Sequence, residues 1–82
     1  MPKGKLLVVD DDADIRQLVA GSLRSRGYEV VAAESAEDGL AKAVSEQPDL
    51  IVLDVEMSGM DGVQTCREIR KHLTVPVIFL GE

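Results

Sequence analysis

Residues 48–54 read Pro-Asp-Leu-Ile-Val-Leu-Asp, four consecutive aliphatic side chains between a proline turn and an acid. An unbroken run such as Leu50-Ile51-Val52-Leu53 suits a strand buried on both faces, and such strands belong to parallel sheets flanked by helices. Working outward, the same signature recurs on both sides. Leu6-Leu7-Val8-Val9 precedes Asp10 and Asp11, and Pro76 opens Val77-Ile78-Phe79-Leu80.

The segments between these runs carry helical spacing. Ile15, Leu18, Val19, Ser22 and Leu23 fall at i, i+3, i+4, i+7 and i+8, one apolar stripe. Asp11, Asp12 and Asp14 crowd its start, where the helix dipole favours negative charge. Arg24, Arg26 and Gly27 close it with late cations and a glycine stop. A further strand is expected at about residues 29–33. Ser35, with Asp38 three residues on, resembles a capping box for a helix through Leu40, Ala43 and Val44, ended by Pro48. After a loop at 57–62, Met-Ser-Gly-Met-Asp-Gly, the spacing predicts a helix over about 61–72 with Val63, Cys66 and Ile69 inward. The order is β-α-β-α-β-α-β, an α/β fold with one domain over 1–82.

Bulk composition narrows the function classes. Hydrophobic residues are 45% and charged residues 29%, an ordinary globular balance, while 2% aromatics leave the core to Leu, Val, Ile and Ala. A net charge of −6 offers no basic stripe to neutralise nucleic-acid phosphates and suits a cation or a basic partner surface. Cys66 is the one cysteine, so no internal disulfide forms. No apolar stretch approaches membrane-spanning length and the N-terminus has no signal-peptide pattern, so a cytoplasmic location is expected.

The acids that follow the strands carry the chemistry. Asp10 and Asp11 end the first run and Asp54 ends the third. Open α/β sheets bind ligands beyond the carboxyl ends of their strands, where strand order reverses. If strands one and three are neighbours, the order is 2-1-3-4 and these carboxylates converge. Clustered carboxylates repel, so one or more must take up a proton unless a cation joins them. An all-oxygen donor set, with no His or Cys, points to a hard ion, magnesium foremost. A carboxylate held beside that ion could attack phosphorus to form an aspartyl phosphate.

With those residues in view, LLVVDDDADIR, PDLIVLDVEMSGMDG and VPVIFL resemble the receiver domain of two-component response regulators over essentially the whole chain. The resemblance implies a flavodoxin-like (CheY-like) doubly wound parallel sheet. It implies Mg2+ held by Asp10, Asp11, Asp54 and the main-chain carbonyl of Glu56, with Asp54 as phosphoacceptor. The phosphodonor partner would be a histidine kinase or phosphotransfer protein, with no nucleic acid bound through this domain and no membrane contact. Gly59 and Gly62 match loop glycines, and Met60-Asp61-Gly62 matches the family's MDG. Gly81 stands where the family has a Ser or Thr, and a fourth helix, fifth strand with its lysine and fifth helix are not in the chain. It therefore reads as a truncated receiver.

Other residues take plainer roles. His72 is expected at a solvated helix end, Cys66 in the core, and Met57 and Met60 in loop packing. Two other functions compete: a dimerisation module without phosphotransfer, and a magnesium-dependent aspartyl phosphohydrolase using Glu56 as proton donor. Right-handed crossovers predict the first helix on one face and the other two opposite, which leaves half of one face bare. A homodimer or swapped assembly through strand four and that bare face is expected.

Overall fold

The computed structural model describes residues 3–55 and 62–80. The elements run β1 (Lys5–Val9), α1 (Ala13–Ser25), β2 (Glu29–Ala33), α2 (Ala36–Glu46), β3 (Leu50–Asp54), α3 (Gly62–Arg70) and β4 (Val77–Leu80). The strands form one parallel sheet in the order β2-β1-β3-β4. Strands β1 and β3 are therefore the inner pair, and Leu7 and Ile51 in them are fully buried.

Each face has its own core. On one side Leu7, Val9, Ile51 and Leu53 pack with Ala43 of α2 and Ile69 of α3. On the other, Val8, Val30 and Val52 pack with Ala20 of α1. One helix against two is the arrangement that right-handed crossovers require for this strand order. Helix α1 lies mainly on β1 and β2. Among the described residues no helix covers β3 and β4 on that side. A cavity of about 410 Å³ opens there, lined by Leu6, Leu23, Tyr28, Leu50, Val52 and Ile78.

The helix ends follow from local chemistry. Asp12 caps α1, its carboxylate accepting from the amides of Asp14 and Ile15. Gly27 ends that helix at φ 98°, a left-handed conformation that an L side chain resists. Ser35 caps α2 by accepting from the Asp38 amide at 3.0 Å. The return half of the expected capping box is replaced, because the Asp38 carboxylate pairs with Lys42 at 3.0 Å.

Two helices are turned from the expected orientation. In α1 the inward side chains are Arg16, Val19, Ala20 and Leu23, whereas Ile15 is 46% and Leu18 is 74% exposed. At about 100° per residue the buried arc is rotated by roughly 80° from the predicted stripe. Arg16 and Ala20, outside the predicted stripe, take inward places, and Ile15 and Leu18 turn to solvent. In α3, Thr65 and Ile69 are fully buried and Cys66 partly so, but Val63 is 55% exposed. Val63 lies roughly 120° around the helix from Ile69, past the edge of the covered arc. His72 is exposed, as expected. Met57 and Met60 lie outside the described residues.

Candidate metal centre

The site grows out of the register between β1 and β3. Val9 lies opposite Leu53 in that ladder. One residue further along, past the last buried aliphatic pair, Asp10 and Asp54 come side by side at the carboxyl end of the sheet. A carboxylate oxygen from each of Asp10, Asp11 and Asp54 can be chosen so that all lie within 4.8 Å of one another. Asp10 is 2% exposed, Asp54 is half-buried and Asp11 is exposed, so the cluster runs from the protein interior to solvent.

Asp10 is held from several directions. Its amide donates to the Ala33 carbonyl at 3.1 Å, tying it to β2. Its Oδ1 accepts from the Asp12 amide at 2.9 Å. Its carbonyl accepts from Arg16 Nη1 at 2.8 Å. Burial pushes the Asp10 carboxyl above the ordinary carboxylate range, against the opposing pull of the Asp12 amide, and the neighbouring Asp54 and Asp11 raise it further. Beyond Asp54, the Val55 amide donates to the Leu80 carbonyl at 3.1 Å, so β4 holds the chain just after the acid.

This arrangement fits a hard divalent cation. The donors are carboxylate oxygens alone, and one acid is buried with like charges beside it, where a cation would relieve both repulsion and desolvation. Asp10, Asp11 and Asp54 meet as their positions in the sequence suggested. Glu56, expected to add a main-chain oxygen, and Gly81, at the Ser/Thr position, lie outside the described residues. Arg16 is a member of the site that patterning missed. A cation in the first turn of α1, against the helix dipole, was the available signal.

Residues 6–82 match the response regulator receiver domain family. The chain is 46% identical over 78 residues to a probable transcriptional regulator ycf27 of Pyropia yezoensis, covering 95% of this chain and 32% of that one. It is 43% identical over 77 residues to the alkaline phosphatase synthesis transcriptional regulatory protein PhoP of Bacillus subtilis, covering 93% and 32%. It thus spans about a third of the length of these curated relatives. Among solved structures, the N-terminal domain of a response regulator receiver protein from Methanoculleus marisnigri superposes with a TM-score of 0.92 at 33% identity, covering 96% of this chain and 67% of that one.

Proposed function

This chain belongs to the response regulator receiver domain family, and we propose that it takes a phosphoryl group from a histidine kinase or phosphotransfer protein onto Asp54. The observation that carries this reading is the convergence of the Asp10, Asp11 and Asp54 carboxylates within 4.8 Å. Asp10, Asp11 and Asp54 would hold magnesium, together with the main-chain carbonyl of Glu56. The ion, when bound, supplies charge neutralisation for the acids and the incoming phosphoryl oxygens.

The residues do the rest. An Asp54 carboxylate oxygen gives a lone pair to phosphorus in line with the leaving group. The bond from phosphorus to the donor imidazole breaks, and its nitrogen keeps the pair and takes up a proton from solvent. Asp54 is left as an acyl phosphate. The β3–β4 ladder and the Val55–Leu80 hydrogen bond keep Asp54 at the strand end while this happens. The chain acts as an acceptor that is modified once, not as a turnover enzyme, and a cytoplasmic location goes with that role.

Incubation with acetyl phosphate tests the reading. Intact mass should show one phosphoryl group, dependent on Mg2+ and absent from Asp54→Asn. Labelling that survives the substitution would mean another acceptor. Continuous release of phosphate well above one equivalent would favour an aspartyl phosphohydrolase.

A second copy of this chain is the partner that best suits the open side of the sheet. Ile78 is 51% exposed there and lines the apolar cavity beside α1, and β4 is an edge strand. Covering that edge and face would remove apolar surface from water.

A further inference from the structure

We infer that Arg24 and Lys42 close the β2 edge of the sheet against strand addition, so that a second copy of this chain cannot pair there. The inference is independent of the metal reading. In the order β2-β1-β3-β4, β2 has a neighbouring strand on one side only. The Glu29 amide donates to the Gly4 carbonyl, and the Ala33 carbonyl accepts from the Asp10 amide. Residues 29, 31 and 33 therefore turn their N–H and C=O groups to β1, and by the alternation of a strand Val30 and Ala32 turn theirs outward.

Two cations meet those outward carbonyls. Arg24 Nη2 donates to the Val30 oxygen at 3.0 Å, and Lys42 Nζ donates to the Ala32 oxygen at 2.7 Å. Both bonds are partly buried and charge-assisted. They reach the edge from opposite faces of the sheet, Arg24 from α1 and Lys42 from α2. Arg24 stands in the last turn of α1, where the helix dipole already favours a cation. The dipole does not explain its aim. The Leu23 and Arg24 carbonyls accept from the Arg26 and Gly27 amides, and the guanidinium crosses to β2 instead. Lys42 is steadied by the Asp38 carboxylate, one turn back, at 3.0 Å. A strand added to β2 would lie about 4.8 Å away in the plane of the sheet. The two cationic heads already hold the bonding positions on that side, and an incoming strand would have to displace both. Glu29-Val30-Val31-Ala32-Ala33 shows why closure matters, with a lone charge at its start and adjacent valines, a composition that favours pairing with its own copy.

Replacing both cations by methionine keeps long stems and helix propensity but removes the donors. In Arg24→Met/Lys42→Met, sedimentation at rising concentration should reach an apparent mass about twice the parent's, as two β2 edges pair about a two-fold axis. Residue-resolved hydrogen exchange locates the contact. The Val30 and Ala32 amides should slow as the double variant associates, and should not respond to concentration in the parent. Arg24→Lys/Lys42→Arg, which keeps a donor for each carbonyl, should behave as the parent, and pairing through β2 in that variant overturns the inference. So does a folded methionine double variant with the parent's mass, or one that associates without slowing these amides. A parent whose Val30 and Ala32 amides slow with concentration overturns it as well. If circular dichroism shows the double variant unfolded, Lys42→Met alone decides. Slowing of the Ala32 amide on association supports the inference, whereas no slowing, or loss of the fold, overturns it.

Discussion

Gly39 of α2 lies so close to Val9 of β1 that a Cβ built on it would stand 2.8 Å from both Val9 γ-methyl groups. Val9 is fully buried and adjoins Asp10, so this contact sets both the height of α2 above the sheet and the footing of the acidic pair. Alanine is the better helix former by about 1 kcal/mol, but overpacking typically costs about 1–3 kcal/mol. Gly39→Ala should therefore lower Tm, at about 4–8 °C per kcal/mol in a domain of this size. Adding Val9→Ala should show positive coupling, because the clash is gone. A Gly39→Ala chain as stable as the parent would mean that α2 can rise freely.

Magnesium should stabilise the folded chain, since only the native state brings Asp10, Asp11 and Asp54 together. At a concentration of about 100 Kd the gain is about 2.7 kcal/mol. Asp11→Asn should erase most of the Tm rise. A parent Tm indifferent to millimolar Mg2+ would remove the case for a metal site.

Asp10 should make metal-free stability depend on pH in an unusual direction. Its raised carboxyl stays protonated in the folded chain after the unfolded chain has lost that proton. Folding then binds a proton, so its contribution is fully present below the ordinary value, 3.8, and is lost as pH rises through the raised value. Asp10→Asn keeps an oxygen for the Asp12 amide but removes the buried charge. Without metal it should melt above the parent at neutral pH, by a margin that closes on acidification. With saturating Mg2+ the order should reverse. A variant less stable than the parent at neutral pH in a chelator would show that Asp10 is not strained by ionisation.

Self-association should be visible by sedimentation at micromolar concentration. Ile78 lines the cavity on the open side, while its neighbour Phe79 shares the other face with Val77. Ile78→Asp should dissociate an assembly built on that face, with Phe79→Asp less disruptive unless the strand edge itself pairs. A parent chain that sediments as a folded monomer would rule the assembly out.

Much of the fold was open to reading because it is written in short-range pattern. Leu6–Val9, Leu50–Leu53 and Val77–Leu80 are each uninterrupted apolar runs, and each lies in a parallel strand. The acids after two of those runs come together because β1 and β3 are neighbours. The rotation of the helices was not readable in the same way. Leu18 and Val63 satisfy helical spacing but stand in solvent. Spacing shows which side chains share a face of a helix without saying how that face is turned against its neighbours.

The sequence by itself determined the element types, their order and the acids at the strand ends, since backbone sterics and hydrophobic period act over a few residues. Tertiary structure alone decided which way α1 faces, and with it that Arg16 meets the Asp10 carbonyl. It alone decided that Gly39 must lack a side chain against Val9, thirty positions away. Those outcomes depend on close packing between distant segments, where a shift of one ångström changes a contact into a clash and no local pattern records the distance.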